Sequence, residues 1–338
     1  MKNSGGAGEQ RRAVLFLAPM ADPAESRIPA PAQVLGPALA QQGLEYRLSS
    51  FAASPGRRIT EMVTALVDRS ATPEVAVLSI FGGRSLVQEL AVLAAARKRA
   101  IPVIGVVHGG GLADRSHTER RRTRTVLEGC ARVVAPSGWL ARELRHLCSR
   151  IEVIPNPIDL TAIEHRQRTR FGSRALWMRS LHRVYRPDLA IDTLNVLAQP
   201  PAPGDSVASS MRLTLAGPDK GEAPACRAQV RDLGLRHRVF LPGMLGSAEK
   251  YQAMATHDLF LNTNDIDNAP VSLVEAAAAG LPAVATRVGG IAELSETLGS
   301  VVTVEPGSAA ELARAVSELA ADPDRFAELS QRLSLIHI

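Results

Sequence analysis

Two acids stand out in the second half of the chain, Asp267 in an Asn/Asp-rich turn and Glu275 eight residues later. A carboxylate can accept two hydrogen bonds from adjacent sugar hydroxyls. The surrounding sequence, DLFLNTNDIDNAPVSLVEAAAAGLPAVATRVGGIAEL, predicts how the pair is mounted. Leu259-Phe260-Leu261 reads as a buried strand ending in the turn NTNDIDN. A helix is predicted from near Ser272 to Gly280, with Pro282 as its stop. That places Glu275 in the first turn, where the positive end of a helix favours a negative charge. Ala276 to Ala279 have almost no side chain, so another group can approach their backbone. A second strand follows, Ala283 to Thr286, and then Val288-Gly289-Gly290. Strand, loop, helix start, strand and glycine turn are the parts from which an open α/β sheet builds a ligand crevice. Two other readings of the acids stay open: Ser272-x-x-Glu275 is also a capping box, and Asp265-Ile266-Asp267 is a D-x-D that could hold Mn or Mg.

The 338 residues suit two domains, each large enough for its own core. The composition, 46% apolar and 22% charged, is that of a globular protein. Aromatics at 4% argue against a stacking platform for single-stranded nucleic acid. No apolar run approaches the length of a membrane span. Cys130, Cys148 and Cys226 are isolated, without metal-ligand spacing, and fit a reducing cytoplasm. The net charge of +5 is uneven: residues 1–160 hold 21 Lys/Arg against 14 Asp/Glu, and the remainder 18 against 20. The first half is therefore the side to meet an anionic partner.

From Ala13 onward strand-like and helical patterns alternate. Strands are predicted at Ala13–Leu17, Val75–Ile80, Pro102–Val107, Arg132–Val134 and Ile151–Ile154. Helices are predicted near Ala32–Gln42, Ile59–Val67, Leu86–Arg99, Glu119–Glu128 and Gly138–Leu147. This alternation implies a parallel, doubly wound α/β sheet. The second half adds Met211–Ala216 and Val239–Gly243 as strands, with helices near Ala223–Leu233, Ala248–Thr256 and Ala309–Ala321. Gly82-Gly83 and Gly109-Gly110-Gly111 follow strands and read as simple turns or as places of close backbone approach. Arg120, Arg121, Arg122 and Arg124 surround a helix start, either a solvated face or a dock for an anionic membrane surface. No nucleic-acid reading motif accompanies them.

The stretch around the two acids resembles the retaining GT-B glycosyltransferases of glycosyltransferase family 4 (group 1 type). Their donor site carries E-x7-E, an Ala-rich segment, G-x-P-V-V-A and a Gly-Gly turn. Here the pattern reads Asp267-x7-Glu275 and AAAAGLPAVATRVGG, with Asp in place of the first Glu. His108-Gly109-Gly110, IEVIPNPIDL, Gly217-Pro218-Asp219 and VFLPG are similar to further family segments, whereas Ala18–Pro23 lacks the family's first glycine pair. The resemblance implies two Rossmann-like domains facing each other across a crevice. These would be residues 1–162, a linker 163–173, and a nucleotide-sugar donor domain 174–332. Residues 333–338, LSLIHI, match what a sequencing-library transposon end encodes and are expected to be read-through, so that a final helix of the family would be missing.

For the site, the resemblance implies that Glu275 holds ribose hydroxyls and Asp267 the sugar's hydroxyls. Arg179, Arg186 and the amides of Gly289 and Gly290 would stabilise the departing diphosphate. The family's Lys after Arg179 has no clear counterpart. The backbone at Leu241 and Gly243 would meet the nucleotide base, and His108 the sugar or diphosphate. The implied activity is retaining transfer from a nucleotide-diphosphate sugar to a glycan, lipid-linked or small-molecule acceptor, in polysaccharide or cell-envelope synthesis. It needs no cofactor or metal, and is placed in the cytoplasm with peripheral contact at the inner membrane face. The rivals are a D-x-D metal-dependent glycosyltransferase and a non-catalytic partner subunit with a degenerate site.

Overall fold

Most of the strands form where short runs of Val, Ile, Leu and Ala can be buried, and most are followed by a helix that covers one face. In the computed structural model, described here for residues 13–20, 30–70, 72–109, 117–199 and 207–332, the chain divides into two units. The first comprises residues 1–136 and 141–157, the second 137–140 and 158–338.

The first unit runs β1 (Ala13–Leu17), α1 (Pro31–Gln41), β2 (Glu45–Ser49), α2 (Pro55–Val67), β3 (Val75–Ile80) and α3 (Leu86–Lys98). It continues through β4 (Val103–Val107), α4 (His117–Gly129), β5 (Arg132–Ala135), α5 (Gly138–Leu144, whose first turn clusters with the second unit) and β6 (Ile151–Val153). Its six strands are parallel in the order β2-β1-β3-β4-β5-β6. β2 is a strand the sequence pattern does not announce. EYRLS is largely polar and half-exposed, as suits an edge, and only its pairing with β1, Leu17 opposite Ser49, makes it a strand. Ser54 caps α2 by accepting from the Arg57 amide at 3.4 Å.

The second unit runs β7 (Arg174–Met178), α6 (Pro187–Ala198), β8 (Arg212–Ala216), α7 (Ala223–Asp232), β9 (Val239–Gly243), α8 (Ser247–Thr256) and β10 (Leu259–Asn262). Then come α9 (Val271–Ala278), β11 (Ala283–Thr286), α10 (Ile291–Leu298), β12 (Val301–Val304), α11 (Ala309–Ala321) and α12 (Pro323–Gln331). The order β12-β11-β10-β7-β8-β9 is again all parallel. Ala175 and Trp177 point into one core cluster with Leu213, Leu312 and Phe326, and Leu176 points into another with Phe260, Leu273 and Ile291. The sheet is therefore covered on both faces. Its strand order reverses between β7 and β10, and ligands of open α/β sheets bind at the carboxyl ends of strands flanking such a reversal.

The stretch expected as a linker, 163–173, is instead packed into the second unit. Arg168 is 3% exposed. Its guanidinium donates to the carbonyls of His257 (2.7 Å), Arg166 (2.7 Å), Ala279 (2.7 Å) and Met254 (2.5 Å). These include carbonyls at the C-terminal ends of α8 and α9, which a cation satisfies best. Burial pushes the Arg168 guanidinium down to about 10, so it is still charged at neutral pH. Gly110, Gly111 and the suspected read-through 333–338 lie outside the described residues.

Candidate active site

The site grows from the carboxyl ends of β7 to β11. Past the ladder, the Arg179 amide donates to Ala216 O at 3.1 Å and the Gly217 amide to Gly243 O at 2.8 Å. Three strand ends are thus held together beyond their last paired residues. Gly217 sits at φ 151°, and a Cβ there would lie 1.8 Å from Arg179 O, so only glycine lets the Arg179 backbone pass. Buried Trp177 donates from Nε1 to Thr263 Oγ1 at 2.9 Å. Thr263 donates in turn to Tyr185 O at 3.0 Å and Arg186 O at 2.7 Å. This chain of bonds fixes the end of β10 to the turn that follows Arg179, across the reversal in strand order.

Onto that frame the structure brings two of the predicted residues together. Arg179 Nη2 donates to Asp267 Oδ2 at 2.5 Å, and its guanidinium lies 4.3 Å over the Tyr185 ring. Asp267 Oδ2 also accepts from Asn264 Nδ2 at 2.6 Å, and Oδ1 from the Asn268 amide at 2.8 Å. Burial pushes the Asp267 carboxyl up, opposed by Arg179 and by these donors. Several polar atoms of the pair and of the neighbouring β10 and α9 segments are buried without a partner among the described residues: Arg179 Nε, Asn262 Nδ2, Asn264 Oδ1 and Ser272 Oγ. Such a group of unsatisfied atoms calls for an explanation, and a polar ligand is one.

Gly289 and Gly290 shape the same loop from below. The Gly290 amide donates to Asp267 O at 3.0 Å. A Cβ on Gly289, which sits at φ 53°, would lie 1.8 Å from Asp267 O, and one on Gly290 1.8 Å from Asn268 O. The expectation that both amides face a diphosphate needs correcting here. Gly290 spends its amide on the Asp267 loop, and the pair's small size lets that loop close down.

Glu275 also departs from its predicted setting. The helix begins at Val271 behind Pro270, with no side-chain cap and no acid in its first turn, so Glu275 falls in the second turn. The capping box is not formed, and Ser272 Oγ has no partner among the described residues. Glu275 Oε1 instead accepts from Lys250 Nζ at 2.7 Å, and the carboxylate side chain is 11% exposed. Ala276 to Ala279 are buried in the core, and what approaches their backbone is the Arg166–Arg168 strap, with the Arg166 amide on Ala279 O at 3.2 Å.

Arg186 is the least free of the predicted phosphate ligands. It occupies the left-handed region at φ 50° ahead of Pro187, and its fork is engaged by Asp188 at 2.9 Å and Asp265 at 3.3 Å. Both acids of the D-x-D are therefore paired with arginine, Asp265 with Arg186 and Asp267 with Arg179. Among the described residues no group of three His, Cys, Asp or Glu is arranged to hold a metal ion. Leu241 and Gly243 lie in β9, Leu241 packed against the core and Gly243 bonded to Gly217.

In the first unit His108 follows β4, its amide donating to Ile80 O at 2.9 Å. Its ring stacks on Phe81 at 5.0 Å, and Nε2 lies 3.1 Å from Ser79 Oγ. Burial pushes the imidazole down to about 4, so at neutral pH it is an uncharged hydrogen-bonding group. The amides of Phe81 and Gly82 are taken by buried Glu89 Oε1, at 2.8 and 3.3 Å, which makes the first glycine pair an internally held turn. Arg120, Arg121, Arg122 and Arg124 are exposed on α4, Arg124 also reaching His146 O at 3.1 Å.

Lys250, Tyr185, Asn264 and Arg168 escaped the sequence reading. Tyr185 lay close to hand, six residues after Arg179. Lys250 and Arg168 had no local signal, since their partners lie 25 and up to 111 residues away.

Comparison with known proteins bears on the family and the fold. Residues 177–322 match the family described as glycosyl transferases group 1, and residues 84–162 match glycosyltransferase family 4. A probable sucrose-phosphate synthase 4 of Oryza sativa subsp. japonica is 37% identical over 86 residues, 25% of this chain but 8% of that protein. The matched segment thus spans a small part of the curated relatives. Sucrose-phosphate synthase from Thermosynechococcus elongatus superposes with a TM-score of 0.77 at 16% identity, over 96% of this chain and 94% of that one. HepE from Anabaena in complex with UDP does so with a TM-score of 0.72 at 17% identity, over 97% and 94%. The chain thus carries a glycosyl transferases group 1 domain and a glycosyltransferase family 4 domain, in a fold it shares with GT-B glycosyltransferases.

Proposed function

We propose that this chain is a retaining glycosyltransferase that moves a sugar from a nucleotide-diphosphate sugar to a glycan, lipid-linked or small-molecule acceptor. The observation that supports this most is the cation at the strand-order reversal. Arg179 leaves the end of β7 beside the β10 loop, oriented by Asp267 and Tyr185, and an Arg fork suits phosphate. In the reaction, the bond from the anomeric carbon to the diphosphate breaks and charge grows on the leaving oxygen. A preorganised cation stabilises that charge more than it stabilises the bound donor. Glu275, held through Oε1 by Lys250, offers its second oxygen to the ribose hydroxyls. The backbone at Leu241 and Gly243 borders the base. His108, uncharged, offers a hydrogen bond to the sugar or the diphosphate. Among the described residues the reading uses no side chain as a covalent nucleophile, and the leaving phosphate takes the acceptor's proton on the same face. The reading uses no metal. Synthesis of polysaccharide or envelope glycoconjugates fits a family whose similar structures include a lipopolysaccharide outer core galactosyltransferase. A small-molecule acceptor fits the sucrose-phosphate synthase relatives. The exposed arginines of α4 would serve a lipid-linked acceptor by holding the protein on anionic membrane from the cytoplasmic side.

The test is calorimetric titration with UDP-, GDP- and ADP-sugars, with and without EDTA, followed by product analysis with the donor that binds. Binding of one donor that is lost in Glu275→Ala, and transfer that survives EDTA with retention at the anomeric carbon, are expected. No binding by any donor refutes the reading. Activity abolished by EDTA and restored by Mn would move the assignment to the D-x-D acids. The tied state of Arg186 favours one second reading, a non-catalytic partner subunit, for which the donor would bind without turnover in the presence of any acceptor.

A further inference from the structure

The geometry points to a different task for Asp267 than contact with the donor sugar: it is a positioning residue that holds the Arg179 guanidinium where the donor diphosphate is to lie. This inference rests on the nucleotide-sugar reading above and deepens it.

Three observations support it. The first is the occupancy of the carboxylate. Oδ2 accepts from Arg179 and Asn264, and Oδ1 accepts from the Asn268 amide, so three donors already saturate most of its capacity. The second is reach. The Asp267 side chain is 7% exposed against 22% for Arg179, so of the two it is the arginine that a ligand can touch. An Asp is also one methylene shorter than the Glu of the resembling pattern, and the loop cannot advance to compensate. Its carbonyls already press on Gly289 and Gly290, where even a Cβ would lie 1.8 Å away, and Asp267 O accepts from the Gly290 amide. The third is the state of Arg179 itself. One face of its guanidinium is set by the Tyr185 ring at 4.3 Å and one Nη by Asp267, while Nε has no partner among the described residues. The fork is thus oriented in advance with donor capacity unspent. A side chain ordered before binding loses less freedom when the ligand arrives.

The pairing has an electrostatic consequence that makes the assignment testable. Asp267 lowers the net charge beside the diphosphate. If charge dominated, its removal would tighten binding of the anion; if position dominates, its removal loosens it. Asp267→Asn keeps the shape and removes the charge. Its affinities for uridine, UDP and UDP-glucose are compared with those of the unmodified protein, starting with uracil and moving to whichever base the donor screen selects. The expected result is unchanged uridine binding, with UDP and UDP-glucose both weakened by the same factor of about 10–100, the scale on which misplacing a group by about 1 Å acts. In an Arg179→Gln background the same substitution changes UDP affinity by less than about twofold, because the residue it positions is gone. UDP binding that is unchanged or tighter, with UDP-glucose alone weakened, overturns the inference in favour of a sugar contact. Weakened uridine binding overturns it as a general collapse of the site. If Asp267→Asn does not fold, nitrogen–proton spectra of the unmodified protein decide. A slowly exchanging Arg179 Nε–H, identified by its loss in Arg179→Gln, supports a held fork, and exchange as fast as that of exposed arginines refutes it. Failure of the unmodified protein to bind UDP, GDP and ADP alike would sink the nucleotide-sugar reading itself, an outcome distinct from normal UDP binding by Asp267→Asn.

Discussion

Arg168 is the residue whose removal should cost the second unit most, and the structure sets the size of the effect. Its guanidinium donates to four carbonyls, those of Arg166, Met254, His257 and Ala279. Met254 and Ala279 close α8 and α9, the helices that bear Lys250 and Glu275. In Arg168→Ala the carbonyls of Met254 and His257 lose this donor, and Ala279 O keeps only the Arg166 amide. A single buried acceptor left unpaired costs about 1–3 kcal/mol. Several such acceptors together, offset in part because a buried guanidinium no longer has to be stripped of water, put the loss at about 3–5 kcal/mol. For a unit of this size each kcal/mol lowers the melting temperature by about 2–4 °C, so calorimetry should show its transition falling by about 6–20 °C. Arg168→Lys keeps the charge but not the fork, and should recover only a minor part of the loss. Arg166→Ala is the control: its side chain is 50% exposed and its pair with Asp258 spans 3.4 Å, so a change of about 1 kcal/mol or less is expected. A melting temperature for Arg168→Ala within about 2 °C of the unmodified protein would refute the view that this arginine ties the helix ends together.

Three further outcomes follow from single observations. Gly290→Ala places a methyl group 1.8 Å from Asn268 O, so nucleotide binding should fall by about tenfold or more even where the protein still folds, since overpacking costs about 1–3 kcal/mol; an alanine variant with native affinity would count against the closed loop. Lys250→Met leaves the Glu275 carboxylate without its cation, and donor affinity measured by calorimetry should weaken by about 3- to 30-fold, whereas an unchanged affinity would show that Glu275 needs no support. The third concerns pH. Burial holds His108 near 4 and depresses His257, against an ordinary value of 6.5. Because the folded value is lower, the unfolded chain takes up the proton first, and stability complete above pH 6.5 declines as pH falls toward 4. The difference in melting temperature between unmodified protein and His108→Asn should therefore shrink across that window, and a flat difference from pH 7 to pH 4.5 would exclude it.

What could be read from residues alone followed the range over which the governing physics acts. Alternating apolar runs and their Gly, Pro and Asn/Asp stops are local, so β8 to β11, α11 and the doubly wound class were legible. Strand β2 was not, because EYRLS has no apolar alternation and becomes a strand only beside β1. Glu275 stood out as an acid at a predicted helix start, and Arg179 through the family resemblance. Their partners were beyond reach. The Arg179–Asp267 contact joins residues 88 apart and Lys250–Glu275 residues 25 apart, and no periodicity encodes which charged side chains meet across a sheet edge. The capping box at Ser272 is instructive, since a local rule that fits the letters lost to Pro270, which starts the helix one residue early and sends Glu275 into the next turn. The same holds for the charged run 163–173, which by composition belongs in solvent and in the structure gives up Arg168 to the helix ends. By itself the sequence determined the elements, their order and the residue types able to handle a sugar diphosphate. Only the tertiary structure decided which charges neutralise one another and which remain for a ligand, because that depends on contacts made after the chain has closed on itself.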